Sequence, residues 1–330
     1  MIFAARVLLA TLASFGLAAG AGAAARDEPS AGTVNLRIEG VGEPIVVVGD
    51  LDLEKDRVRD AVRDIAMRGR SFDEPLMRYQ DPLCITVLGF GEVLGERVAE
   101  RIRMQARVVG AEVAEPGCMP NATVAMVGRP AVLIERMRQE RPKLLSAESL
   151  HRIRATLSAG YPAVSWASTQ RRDQFGRSIA SGNPLSGLEF PGPLNELLIT
   201  RDNRFASRIK VPFTIARAGA VVIFDAYKLD NVHLDQLADY AVMRILGNPR
   251  PRPSLGADQP DTILNLFRMD PLEASPGLTL MDVAYLRGLY ALRPNEPATR
   301  LESSTIAAYR DLAALGCEET NTCEADRDPG

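Results

Sequence analysis

The feature that most constrains this chain is its first 25 residues. They carry one charge, Arg6, and no acid; an apolar run from Val7 to Leu17 is followed by Ala18 to Ala25, made of small residues only. A basic start, an apolar middle and a small-residue end is the order of a secretory signal peptide. Ala23-Ala24-Ala25 fits an A-x-A cleavage site, which predicts Arg26 as the new N-terminus; cleavage after Ala23 fits almost as well. The apolar run is shorter than the ~20 residues a bilayer span needs, and no Cys lies near the site to take a lipid. The mature chain is therefore expected to be periplasmic or secreted, where disulfides persist.

That compartment gives the four cysteines a meaning. Cys84 precedes the strand-like run Ile85 to Leu88, and Cys118 precedes a second one, Ala122 to Val127, with a helix between. Two strands entering one sheet side by side bring the residues before them together, so Cys84–Cys118 is the first expected pair. Cys317 and Cys323 lie in a polar C-terminal stretch and are expected to pair locally. The alternative, zinc, lacks the paired C-x₂₋₄-C spacing. No metal and no cofactor is expected.

Without residues 1–25 the chain keeps 38 basic residues against 42 acids, a net charge of -4. That is no nucleic-acid footprint. The longest later apolar run, Ala218 to Phe224, is of strand length, so no transmembrane span is expected after signal cleavage. The remaining ~305 residues allow one large domain or two ordinary ones.

Hydrophobic periodicity predicts strands at Val34–Ile38 and Ile45–Val48 and an amphipathic helix over Leu51–Met67. A strand at Cys84–Leu88 leads into a helix over Gly91–Val109, with Val93, Val98, Ile102 and Ala106 roughly aligned. A strand at Ala122–Val127 and helices around 131–139 and 147–157 follow. Gly160-Tyr161-Pro162 reads as a boundary. Beyond it, Ala163–Thr169 reads as a strand, Gly176–Pro193 as a Gly/Pro/Ser-rich stretch, and Ala206–Thr214 and Ala218–Tyr227 as two paired strands. A helix at Leu234–Leu246 stops at Gly247-Asn248-Pro249. A short helix at 261–267 and longer ones at 280–292 and 304–315 complete the chain. Mixed strands and helices, then strands followed by helices, predict an α+β fold with a mixed sheet and packed helices. The expected division is a signal peptide (1–25), an N-terminal α/β subdomain (26–160), a C-terminal α+β subdomain (161–300) and a helix with a polar tail (301–330).

Few chemistries survive inspection. Gly89-Phe90-Gly91-Glu92-Val93-Leu94-Gly95 follows a strand and opens a helix, as a phosphate-cradling turn does. Its spacing is G-x-G-x-x-x-G, and Glu92 would repel a phosphate, so it reads as a turn that needs flexible backbone. Only two histidines exist, His151 and His233, and neither sits in H-E-x-x-H, which excludes that zinc chemistry. A Ser-His-Asp hydrolase lacks a G-x-S-x-G elbow. What remains is carboxylates. Asp235 and Asp239, four apart, share one face of the Leu234–Leu246 helix and could hold a cation or do acid/base work, with Asp225 at a strand end as a third weak catalytic candidate. Gln236 and Tyr240 form a second such pair, so Gln236, Asp239 and Tyr240 are the expected binding surface. Met243 continues that face, although a Met at this spacing is usually core.

The stretches Leu234 to Met243, Thr262 to Phe267 and Gly277 to Tyr290, with Arg78 to Cys84 and Pro116 to Asn121, resemble a group of uncharacterised exported bacterial proteins. The C-terminal order of a helix, an Ile263-Leu264-Asn265-Leu266-Phe267 turn and a second helix is more distantly similar to zincin-like metallopeptidase-fold proteins with degenerate active sites. In a true zincin the Leu234–Leu246 helix would carry the metal-binding histidines; here it carries Asp235, Gln236 and Asp239. The resemblance implies a protease-like scaffold without zinc. The expected role is a non-catalytic cell-envelope protein that binds a protein or an envelope polymer. The alternative is a carboxylate-dependent hydrolase of peptides or glycans.

Overall fold

The computed structural model describes residues 33–38, 45–51, 53–67, 74–141, 145–177, 213–251, 253 and 259–320. The expected signal peptide lies outside them. The fold is α+β, as the element order predicts. Strands β1 (Thr33–Ile38) and β2 (Ile45–Asp50) form an antiparallel hairpin. Helix α1 (Lys55–Ile65) buries Val58, Ala61, Val62 and Ile65, the i, i+3, i+4, i+7 spacing of one helical face.

The central sheet begins with β3 (Ile85–Leu88), α2 (Glu92–Val108) and β4 (Ala122–Val127). Helices α3 (Pro130–Glu140) and α4 (Ala147–Ser158) follow. Pro130 opens α3, and the Ser146 hydroxyl caps α4 by accepting from the Ser149 N–H at 3.1 Å. Strands β5 (Ala163–Asp173) and β6 (Phe213–Asp225) complete the sheet in the order β3-β4-β6-β5. The first three are parallel; β5 runs antiparallel to β6. Three helices then close the chain: α5 (Leu234–Leu246), α6 (Leu280–Ala291) and α7 (Arg300–Thr320). Helix α7 extends the expected 304–315 helix at both ends.

Alternation along the strands divides the interior in two. Val124, Ala220, Val222 and Phe224 face the large core built with α1, α2, α5, α6 and α7. Ala125, Val164, Trp166 and Ile223 face a smaller core with Ile134 of α3 and Ile153 of α4. The sheet thus sits between two helical layers. No helix among the described residues is long and apolar enough to cross a membrane.

Two expectations need correction. Ala206–Thr214 and Ala218–Tyr227 are not two strands paired with each other. Their described part is one strand, β6, paired with β5 from Ala163↔Phe224 to Asp173↔Phe213; residues 206–212 lie outside the described residues. Gly219, inside the expected second strand, pairs with Ser168 at a register shift between Ser168 and Thr169. A Cβ there would sit 3.0 Å from the Ser168 Oγ, so glycine lets the strands close over the irregularity. Nor do residues 26–160 and 161–300 separate. The four-stranded sheet takes β3 and β4 from one side of the boundary and β5 and β6 from the other. Gly160-Tyr161-Pro162 is the entry to β5 within one sheet.

The Cys84–Cys118 disulfide is present, with Cα atoms 6.0 Å apart. Asn121 reinforces it: its Oδ1 accepts from the Cys84 N–H at 2.8 Å and its Nδ2 donates to the Pro82 carbonyl at 2.9 Å. The expected Cys317–Cys323 pair falls outside the described side chains.

Candidate functional site

Helix α5 is the element on which the sequence places most of its candidates. It is apolar almost all round, and every residue from Gln236 to Leu246 is buried. Gln236, Asp239 and Tyr240 are 1%, 0% and 2% exposed, so the expected binding surface is interior and presents nothing to a partner. Each has an internal role. The Gln236 Oε1 accepts from the His233 N–H at 2.9 Å, and its Nε2 donates to the Pro271 and Ser275 carbonyls at 2.9 and 3.0 Å. This closes the helix N-terminus and pins the loop that crosses it. The Tyr240 ring packs edge-on against Phe267, centroids 4.8 Å apart, and its hydroxyl accepts from Arg244 at 2.8 Å. Met243, fully buried, is core.

Asp235 and Asp239 do lie on one helix face, but α2 packs there and puts Arg101 between them. The Arg101 Nε and Nη2 donate to the two Asp239 oxygens at 2.8 and 2.7 Å, and its Nη1 stands 3.3 Å from Asp235. Asp239 also accepts from Gln105 Nε2 at 3.2 Å and from the Leu278 N–H at 2.8 Å. A Cβ on Gly277 would come 2.5 Å from an Asp239 oxygen, so only glycine lets the 277–278 backbone reach the carboxylate. Burial pushes the Asp239 carboxyl up, against the pull of Arg101 and the Leu278 N–H. Burial opposes the Arg101 charge too, yet Asp239 and Asp235 together hold its pKa above the ordinary value.

The chemistry follows from that geometry. The guanidinium is a permanent cation seated where an i, i+4 acid pair would grip a metal ion. A divalent cation there would face Arg101, and the donor set does not fit one. Asp239, with both oxygens engaged and no exposure, cannot reach a substrate proton. Asp235 is more open and is bound by Arg97 at 3.6 Å as well. Asp225 joins neither acid. Its Oδ1 accepts from the Tyr227 N–H at 3.2 Å, capping the 3₁₀ turn 226–228, and Lys228 lies 3.7 Å away. His151 is exposed on α4, and His233 is the N-cap residue of α5.

The open surface lies elsewhere, at the carboxyl ends of the parallel strands. Gly89 and Gly91, with φ of 82° and 77°, turn the chain from β3 into α2. A Cβ on Gly89 would fall 2.1 Å from the Met126 carbonyl oxygen, which makes this turn a packing requirement of the β3–β4 pair. Beside it Leu88 is 55% exposed, Val93 82% and Leu94 48%; Val93 thus stands off the buried stripe of Val98, Ile102 and Ala106. At the end of β6, Tyr227 is 78% exposed, and its ring lies over Gly128 at the end of β4.

Sequence reasoning missed Arg101 and Gln105. One signal was available: Gln105 falls on the buried stripe of α2 among Val98, Ile102 and Ala106, where a polar side chain needs an interior partner. Its partner is 134 positions away and has no local trace. No protein-family model, no curated protein and no solved structure matches this chain.

Proposed function

We propose that this is an exported, non-catalytic cell-envelope protein that binds another protein or an envelope polymer on a protease-like scaffold whose acid pair is silenced by Arg101. The observation that carries the reading is the Arg101–Asp239–Asp235 cluster. It commits to an internal ion cluster the acid pair that the sequence aligns on the Leu234–Leu246 helix. The degenerate zincin resemblance, with Asp235, Gln236 and Asp239 on the helix that would carry the ligands, agrees with it. The binding surface is reassigned from the buried face of α5 to the rim of Leu88, Val93, Leu94 and Tyr227. Ligands of open sheets with parallel strands sit at the carboxyl ends, and exposed apolar groups gathered there are costly without a partner.

The test is cross-linking of the mature protein in envelope extracts, with Val93→Ser/Tyr227→Ser and Asp235→Asn beside the wild type. Loss of the same cross-linked species in the rim variant, with Asp235→Asn unaffected, supports the reading. Turnover of a peptide or glycan that disappears in Asp235→Asn would replace it with the carboxylate-hydrolase alternative. Retention of every species by the rim variant would remove the rim from the proposal.

A further inference from the structure

A second site lies away from the rim, between the loop before β3, the turn after β5 and the end of α6. It is an open cavity of about 210 Å³ whose wall includes Gln80, Asp81, Glu112, Phe175 and Tyr290. The Gln80 Oε1 there is buried without a hydrogen-bond partner, and the buried Tyr290 hydroxyl, which meets the Tyr79 backbone N–H, has no acceptor for its own proton. The Gln80 amide is held in orientation because its Nε2 donates to Thr214 Oγ1, which leaves the oxygen free to accept. A Cβ on Gly176 would lie 2.4 Å from that oxygen, and Gly176 has a φ of 82°. Gly176 packs directly on the buried acceptor, where any side chain would collide with it. Burial raises the Tyr290 phenol to about 12, so it stays a donor. An unsatisfied buried acceptor and donor in one wall are the marks of a site that expects a polar guest.

The rest of the wall narrows the guest's chemistry. Asp81 and the exposed Glu112 repel an anion. Arg78 in the wall repels a cation, and its guanidinium is already committed to the Leu289 carbonyl at 2.7 Å; the Asp81 carboxylate is in turn paired with Arg172 at 2.8 Å. Phe175, 62% exposed at the mouth, offers an apolar aromatic face, while Arg177 lies over the ring at 5.1 Å. A guest that donates to Gln80, accepts from Tyr290, carries no charge and stacks a C–H face on Phe175 is a hydroxyl-bearing ring. We propose that this cavity binds a neutral, hydroxyl-rich ring, a pyranose unit of a glycan. The proposal does not rest on the rim and stands if the rim fails.

The experiment is saturation-transfer NMR and titration calorimetry on the full mature chain, with glucose, N-acetylglucosamine and their tetrasaccharides as probes. The expected result is saturable binding of at least one probe. Tyr290→Phe weakens it about five-fold through one lost hydrogen bond, and Phe175→Ala weakens it about ten-fold. Phe175 is exposed, so that variant folds like the wild type, and the Val93→Ser/Tyr227→Ser rim variant binds the probe unchanged. No transfer to any probe at about 20 mM would overturn the proposal and leave a cavity filled by water only. Binding that neither Tyr290→Phe nor Phe175→Ala weakens would overturn it as well, by putting the sugar elsewhere.

Discussion

Replacing Arg101 with Met keeps most of the side chain's length and removes its charge. Asp239, 0% exposed, is then left with Gln105 and the Leu278 N–H but no counter-ion. Breaking a buried pair by removing one partner costs about 3–5 kcal/mol, because the surviving charge stays desolvated. In a chain of this size that is a fall of about 5–8 °C in Tm. The pH dependence gives the sharper test. Burial already raises the Asp239 carboxyl in the folded state, and losing Arg101 raises it further. A folded pKa above the unfolded one means that the folded state takes up its proton first as pH falls. The penalty is therefore largest at pH 7.5 and shrinks on acidification, by at most about 1.4 kcal/mol per pH unit. Urea unfolding at pH 7.5 and pH 5 measures both quantities. The double variant Arg101→Met/Asp239→Leu should recover most of the loss, since neither charge remains. A cost below about 1 kcal/mol at pH 7.5, or an equal cost at both pH values, would refute the claim that this is a buried, mutually dependent pair.

Three further outcomes are expected. Reducing the Cys84–Cys118 disulfide opens a loop of 34 positions and should lower stability by about 3–4 kcal/mol, read from urea midpoints with and without reductant. Asp282, fully buried at the start of α6, is raised to about 6 by burial against the hydrogen bonds from Ile263, Thr262 and Thr279. Its contribution to stability should therefore grow by up to about 3 kcal/mol as pH falls from above 6 to below 4. A wild-type minus Asp282→Asn difference that stays flat between pH 7.5 and 4.5 would contradict this. Gly91→Ala, at φ 77° and ψ 166° in open space, a backbone region essentially kept for glycine, should cost about 1–3 kcal/mol. Gly89→Ala adds the collision with the Met126 carbonyl and should cost at least about 2 kcal/mol more in the same unfolding assay.

Local signals were legible and distant ones were not. The Leu234–Leu246 helix was bounded correctly, because Gly247-Asn248-Pro249 ends it by backbone chemistry alone. The Cys84–Cys118 pair followed from two strand starts on either side of one helix. The merging of two expected strands into β6 was hidden, because Gly219 serves a register shift that only the partner strand reveals. The candidate site failed for a related reason. The i, i+4 spacing aligns Asp235 with Asp239, but whether that face meets solvent depends on what packs against it. The apolar run Ala241-Val242-Met243 and Ile245-Leu246 hinted that α5 is buried all round. Nothing near it in sequence announced that Arg101, 138 positions earlier, would fill the space.

The strand order has a consequence for how the chain assembles. β6 lies between β4 and β5, yet it is the last of the four to be synthesised. β4 and β5 are thus separated by a slot that cannot close until residue 225 has emerged, and the nascent chain carries two unsatisfied strand edges facing that gap. The β3–α2–β4 segment, by contrast, is complete by residue 127 and can be locked by its own crosslink. Assembly should therefore proceed in two stages, an early unit sealed locally and a late insertion from the middle outward. The interval between them is when this chain is most open to mispairing with another copy of itself.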